Sequence, residues 1–123
     1  MARLSIRIYL DPPHHGLGPG MAQLLEGVAS LGSIRKAAAE MTMSYRKAWL
    51  LIKNMEDTFG GPVLVTSIGG KKGGGAQLTA LGKTLLAIYR RIEKRAQRAT
   101  ATDLKALLAL TRRAKRPRQA RHL

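Results

Sequence analysis

Within a ten-residue stretch of the sequence lie six residues with side chains suited to nucleic acids: Ser44, Tyr45, Arg46, Lys47, Trp49 and Lys53. A guanidinium such as that of Arg46 can bind O6 and N7 of guanine, and lysine ammonium groups can bind phosphates or guanine. Serine hydroxyls at helix N-termini can donate to phosphates, which adds Ser33 to this set. Trp49 fits a core position as well as a DNA groove, and the sequence leaves both open. The set predicts a surface that binds double-stranded DNA.

A second basic cluster lies in a glycine-rich run at residues 69–75, where Lys71 and Lys72 are adjacent. Glycine-rich loops that contain lysine can also hold nucleotide phosphates, so a nucleotide-binding enzyme is an alternative. The phosphate loop of NTPases, however, needs Ser or Thr after its lysine and a helix after the loop. Here Gly73 follows Lys72, and a second strand is predicted next. We therefore predict that both lysines contact DNA and that the protein is not an enzyme.

Residue types that support metal or thiol chemistry are scarce. The chain has no cysteine and three histidines, and two of these, His14 and His15, lie in a loop rich in proline and glycine. A thiolate metal site and a cysteine nucleophile are excluded, and a histidine-built zinc site is disfavoured. We expect no catalytic residues, no metal and no cofactor.

Charge and composition indicate a polyanionic partner. The 123 residues include 22 Lys and Arg against 7 Asp and Glu, a net charge of +15, and 45% are hydrophobic, enough for a core. Residues 112–123 hold six basic residues and no acidic one. Scattered aromatic residues disfavour a base-stacking sheet and leave duplex DNA as the partner. No apolar run approaches the roughly 20 residues of a membrane span, and no signal peptide is recognisable, so we expect a cytoplasmic protein.

Hydrophobic periodicity predicts the elements that position these residues. Strict alternation at residues 3–10 predicts a half-buried strand. Helical spacing predicts helices at residues 19–31 and 34–41 and a third that begins after Ser44 and ends at the Gly-Gly-Pro of 60–62. A β-branched run at 63–68, the glycine-rich loop and a return strand at 76–78 predict a β-hairpin, after which Thr79 caps a long helix.

A short alanine-rich helix, a tight turn, a basic helix and a hairpin, in that order, predict a winged helix-turn-helix. The predicted fold class is mainly α with a small β-hairpin, an N-terminal strand and a long C-terminal dimerisation helix. Its parts are a DNA-binding and dimerisation domain at residues 1–99, a C-terminal helix at 100–111, apolar from 104 to about 110, and a basic, disordered tail at 112–123.

The apolar stripe of the long helix predicts a homodimer. The stripe exceeds what one small domain needs to cover its own core, although packing on the first helix of the same chain is an alternative. The predicted dimer interface comprises Leu81, Leu85, Ile88 and Ile92.

Several motifs resemble one known family. Leu-Leu-Glu at 24–26, Gly-Ser-Ile at 32–34, Ala-Ala at 37–38, Met-Ser-Tyr-Arg-Lys-Ala-Trp at 43–49, Ile-Lys-Asn-Met at 52–55 and the wing segment 69–79 followed by Gly82 are similar to the N-terminal domain of ModE-type molybdate-responsive transcription regulators. The broader helix-turn-helix pattern is shared with LysR-type regulators. The resemblance covers residues 3 to about 95. It implies a winged helix that dimerises through its first and last helices and binds an operator.

The sequence also departs from that family. ModE-type proteins that sense molybdate carry a second, β-rich region after this domain, and we find no such region here. We therefore expect a sequence-specific transcription regulator with no direct molybdate response. The operator, the direction of regulation and any small-molecule effector are not predicted. The charge of +15 supports one alternative, a sequence-neutral, nucleoid-like DNA-binding protein.

Overall fold

The computed structural model describes residues 2–11, 16–67 and 75–115, and helices make up most of this part of the chain. In chain order the elements are α1 (Pro19–Leu31), α2 (Ile34–Glu40), α3 (Tyr45–Phe59), β1 (Leu64–Ser67), β2 (Gly75–Leu78), α4 (Ala80–Ala99) and α5 (Ala101–Lys115). The predicted class, mainly α with a small β-hairpin, is confirmed. The hairpin tip, which contains Lys71 and Lys72, lies outside the described residues.

The helix boundaries follow from local sequence signals. Ser33, Ser44 and Thr79 are the N-caps of α2, α3 and α4, and each side-chain oxygen accepts the backbone N–H three residues later, at 3.0–3.1 Å. Gly32 and Gly60 end α1 and α3 with φ of 67° and 72°, a left-handed conformation that favours glycine. The starts of α2 and α3, the two helices at which the predicted DNA-binding residues outside the hairpin lie, are thus fixed by their own caps.

Small side chains set the distance between α1 and α2. Ala37 and Ala38 are fully buried, and a Cβ added to Gly27 of α1 would lie 2.9 Å from the Cβ of Ala37. The turn after α2 is tight: Thr42 has φ of 50°, and the N–H of Met43 donates to the carbonyl of Ala38 at 2.9 Å. Because α1 and this turn both hold α2, the start of α3 is fixed relative to the core.

One hydrophobic core joins α1, α2, α3, the hairpin and α4. The spacing of four, three and four residues between Ala48, Ile52, Met55 and Phe59 predicts one buried stripe on α3. This stripe is confirmed, since the first three side chains are buried and Phe59 packs against the core. The largest fully buried side chains are Leu24, Val28, Ile52, Met55 and Val63.

The second strand of the hairpin, β2, is hydrogen-bonded both to β1 and to the helical part of the domain. In the antiparallel pair, Leu64 is opposite Leu78 and Ser67 is opposite Gly75. The N–H of Ala76 also donates to the carbonyl of Gly32 at 2.9 Å, so β2 is bonded to the turn between α1 and α2. The hairpin therefore keeps a fixed position beside the helix-turn-helix.

The segment at residues 3–10 is extended but forms less sheet than predicted. Its side chains alternate as expected, with even-numbered residues half-buried and odd-numbered ones exposed. Its only backbone pairing within the described residues is an isolated bridge, in which Ile8 and Leu17 exchange hydrogen bonds of 2.7 and 2.8 Å. The expected strand is thus reduced to a single bridge.

Side chains of α4 supply further contacts of this segment. The N–H of Leu4 donates to Oε1 of Gln97 at 3.0 Å, and the hydroxyl of Tyr89 donates to the carbonyl of Ile6. A helix uses its own backbone groups internally and offers a neighbour only side chains. This explains why the segment is extended and held in place without becoming part of a sheet.

The final helix is longer than predicted. It begins at Ala101 and continues to Lys115, so it includes the start of the expected tail at 112–123. The hydroxyl of Thr100 donates to the carbonyl of Ala96 at 2.7 Å, and the carbonyl of Thr100 accepts the N–H of Leu104 at 2.9 Å. Helical hydrogen bonding therefore resumes directly after α4. No glycine or proline occurs between Gly82 and Pro117. The remainder of the expected tail, residues 116–123, lies outside the described residues.

Candidate nucleic-acid interface

The first half of α3 presents most of the predicted DNA-binding residues on one surface. The helix buries Ala48 and Ile52 against the core, while the side chains on its other faces reach solvent. The exposed set comprises Ser44, Tyr45, Arg46, Lys47, Trp49 and Lys53. The structure therefore brings these six predicted residues together, on a helix whose opposite face is packed.

Trp49 is not a core residue. Its side chain is 38% exposed, and its ring lies edge-on to that of Tyr45, with 6.2 Å between the centroids. Tyr45 is 39% exposed. Of the two positions that the sequence left open for Trp49, the structure shows the solvent-facing one.

Arg35 extends this surface onto α2, and the sequence reasoning missed it. Its guanidinium carbon lies 4.2 Å from the centroid of the Tyr45 ring, a cation–π arrangement. A signal was present: Arg35 and Lys36 are adjacent basic residues in the first turn of a helix, which is an unfavourable place for positive charge.

The two serine caps have different exposure. Ser44 is exposed and Ser33 is half-buried, and each uses its oxygen to accept a backbone N–H of its own helix. The hydroxyl proton is not consumed by that bond, so each serine can still donate to a phosphate. This geometry is compatible with the predicted role of both residues.

The charges on α3 run opposite to the order that stabilises a helix. Arg46 and Lys47 lie in its first turn, where the helix dipole is positive, and Glu56 and Asp57 lie near its end. Glu56 has a structural role, because its Oε2 accepts the N–H of Val63 at 2.9 Å. The two cations have no such bond among the described residues, so the stability of α3 does not account for their position.

The predicted dimer stripe is divided between the core and solvent. Leu85 is buried and Leu81 packs against the core, so these two side chains cover the core of their own chain. Ile88 and Ile92 are 42% and 38% exposed. Only the second half of the stripe is open to a partner.

Charged and polar side chains fix α4 against α1 and the segment at 3–10. Arg90 forms ion pairs with Glu26 of α1 and with Glu93 of its own helix, both at 2.7 Å. The hydrogen bond to Glu93 is the main cause of the raised pKa of Arg90. Burial, and then the charge of Glu93, raise the pKa of Tyr89. These contacts set the direction in which α4 carries Ile88 and Ile92.

Two absences apply to residues 2–11, 16–67 and 75–115. In these ranges, no group of three or more aspartate, glutamate, histidine or cysteine side chains could hold a metal ion. Nor is any helix in these ranges long and apolar enough to cross a membrane.

An exposed basic helix that follows a short helix and a tight turn, with a hairpin attached beside it, defines the winged helix-turn-helix class. Residues 21–83 match the family described as bacterial regulatory helix-turn-helix protein, lysR family. The chain belongs to that family. It also resembles the crystal structure of the CbnR DNA-binding domain in complex with DNA, with a TM-score of 0.56 and 24% identity over 72% of this chain and 95% of that one.

Among curated proteins, the chain is similar to ModE regulators. It is 34% identical to the molybdenum transport protein ModE of Herbaspirillum seropedicae over 114 residues, which cover 88% of this chain and 42% of that protein. It is 32% identical to the DNA-binding transcriptional dual regulator ModE of Escherichia coli K12 over 87 residues, which cover 71% of this chain and 30% of that protein. The chain thus spans less than half the length of these relatives.

Proposed function

We propose that this chain binds double-stranded DNA sequence-specifically, as a transcription regulator of the ModE type. The observation that carries the proposal is the first half of α3, where Arg46 and its exposed neighbours project from a helix with a packed opposite face. A helix held rigidly from behind can keep hydrogen-bond donors in the fixed geometry that base recognition requires. The similarity to ModE proteins supports the regulatory role and the cytoplasm as the place where it acts.

The alternative is sequence-neutral DNA binding, which the net charge of +15 favours. Phosphate contacts give affinity that does not depend on sequence, whereas base contacts give discrimination. Selection of bound sites from a random DNA pool at ~150 mM salt distinguishes the two. A recurrent site supports the proposal, and a pool that stays random after selection refutes it.

Arg46→Ala tests the base-reading role. If Arg46 binds a base edge, its loss costs about 1–3 kcal/mol on the selected duplex and much less on a scrambled one. Arg91→Ala is the matched control, because Arg91 is an exposed arginine on α4, outside the α3 surface. Equal weakening of both duplexes by Arg46→Ala would assign Arg46 to the phosphate backbone instead.

Lys71 and Lys72, with the basic residues at 116–123, are proposed to contact phosphates. Both stretches are rich in positive charge in the sequence, and lysine and arginine side chains neutralise phosphates whatever the base sequence. Removing them should weaken selected and scrambled duplexes by similar factors and flatten the salt dependence by about one unit per lost phosphate contact. Truncation after Lys115 leaves the described helix α5 whole.

A homodimer is proposed on the exposed part of the α4 stripe. Ile88 and Ile92 are the exposed large apolar residues of that helix, and a second copy would remove them from water. Sedimentation at micromolar concentration should show a dimer, and Ile92→Glu should dissociate it. Ala87→Glu is the control, because Ala87 is an exposed residue of α4 that does not belong to the stripe. A wild-type monomer would refute the dimer.

We also propose that this chain does not respond directly to molybdate. The cavity between α1 and α4 has a volume of about 10 Å³ and is lined by apolar residues that include Met21, Met55 and Leu85. A space of that size holds a single water at most, and it offers no hydrogen-bond donors to an oxyanion. DNA affinity should be unchanged by molybdate or tungstate, and a saturable shift of several-fold would contradict this.

A further inference from the structure

Three exposed side chains from two helices form a continuous row on the proposed DNA-binding surface. The Arg35 guanidinium lies over one face of Tyr45 at 4.2 Å, and the Tyr45 ring lies edge-on to Trp49 at 6.2 Å. The interplanar angle of 87° is the preferred edge-to-face arrangement of an aromatic pair. Arg35 belongs to α2 and the rings belong to α3, so the row bridges the turn between the two helices.

We infer that Arg35 is a positioning residue for DNA recognition, holding Tyr45 and Trp49 in one orientation beside Arg46. The inference rests on the proposed function, because the ordered surface is the one proposed to meet DNA. Among the described residues Arg35 forms no ion pair with a carboxylate. Its guanidinium instead contacts the Tyr45 ring. Each ring is more than a third exposed, so the core does not enclose it on every side.

Geometry explains why an arginine can do this and a lysine cannot. The planar guanidinium stacks on an aromatic face while its N–H edge stays available to an acceptor. A lysine ammonium can be attracted to a ring face as a point charge, but it is compact, strongly hydrated and carried on a flexible stem, so it cannot stack flat on the ring and fix its orientation. Arg35→Lys therefore preserves the charge and removes the stacking, which separates positioning from electrostatic attraction.

The first experiment measures binding by Arg35→Lys to the selected and scrambled duplexes at two salt concentrations. Positioning predicts a loss of about 3- to 10-fold on the selected duplex, with scrambled-duplex affinity and the salt slope unchanged. Lys36→Ala is the matched control in the same turn, and it should weaken both duplexes equally. Wild-type affinity of Arg35→Lys for the selected duplex overturns the inference.

The second experiment uses the free protein, in which Trp49 is the only tryptophan. Its near-ultraviolet circular dichroism reports how rigidly the ring is held. Arg35→Lys and Tyr45→Leu should both weaken this signal without changing the far-ultraviolet spectrum, and the double variant should resemble either single one. Tyr45→Phe keeps the ring and should retain the signal. An unchanged signal in Arg35→Lys overturns the inference even if the wild type shows no DNA preference, so the failure of the proposed function is recognised separately.

Discussion

Gly82 lies where the hairpin meets α4, and replacing it with alanine tests the packing of that junction. A Cβ built on Gly82 would lie 2.3 Å from the carbonyl oxygen of Val63, whereas real Cβ atoms essentially never come within 3.0 Å of another atom. That carbonyl also accepts the N–H of Thr79 at 3.0 Å, and the Thr79 hydroxyl oxygen caps α4. The backbone at Val63, just before β1, or that of α4 must therefore move by about 1 Å.

The net effect of Gly82→Ala on the free energy of unfolding can be assembled from three contributions. Overpacking costs about 1–3 kcal/mol, and a weakened bond between Thr79 and Val63 costs about 1 kcal/mol. The higher helix propensity of alanine returns about 1 kcal/mol. We expect the variant to be less stable by about 1–3 kcal/mol, which lowers Tm by roughly 4 °C per kcal/mol for a domain of this size.

Thermal unfolding followed by circular dichroism measures this change. Gly20→Ala is the matched control: Gly20 also lies near the start of a helix, but nothing lies within 4 Å of the Cβ position there. It should leave Tm unchanged or raise it, since alanine restricts the unfolded chain. If Gly82→Ala is as stable as Gly20→Ala, the contact between α4 and the Val63 carbonyl is not as close as described.

Two further predictions concern α3 and α4. Ser44→Asp should keep the cap and the stability, but lower DNA affinity by about tenfold or more, because a carboxylate at that helix start repels phosphates. Ser44→Ala should instead lose about 1 kcal/mol of stability, and unchanged binding by Ser44→Asp would show that this end of α3 does not face DNA. Because burial raises the pKa of Tyr89 above its ordinary value of 10.0, the folded chain retains the phenol proton longer than the unfolded chain. The stability that the raised pKa of Tyr89 contributes is present below about pH 10 and is lost as pH rises through the folded-state pKa. Urea unfolding between about pH 8 and 11 should therefore show a steeper loss of stability for the wild type than for Tyr89→Phe, and equal slopes would contradict the assignment.

Much of the helical framework was predictable because its signals are local. Gly32, Ser33, Ser44, Gly60 and Thr79 each act within one helical turn, and all five have the structural roles that their residue types predict. The buried stripe of α3 follows from helical periodicity in the same way. Local signals need no knowledge of the rest of the fold.

The features that were missed depend on contacts between distant segments. Alternation at residues 3–10 shows that one side is buried, but not that the neighbour is a helix, so a sheet was expected where Tyr89 and Gln97 provide the contacts. The spacing of Leu85 and Ile92 does not reveal that the core covers the first and leaves the second exposed. Arg35 was missed for the same reason, since its partner Tyr45 lies across a turn.

The bonds that join residues 4 and 6 to α4 link positions 93 and 83 residues apart in the chain. A ribosome makes that segment well before α4, so the backbone groups of residues 4 and 6 lack these partners until α4 has emerged. Contacts of this separation close large loops and form slowly. During synthesis the helix-turn-helix of α2 and α3 can therefore assemble before the segment at residues 3–10 docks. The apolar side of that segment, Leu4, Ile6 and Ile8, remains accessible to chaperones until α4 has been made.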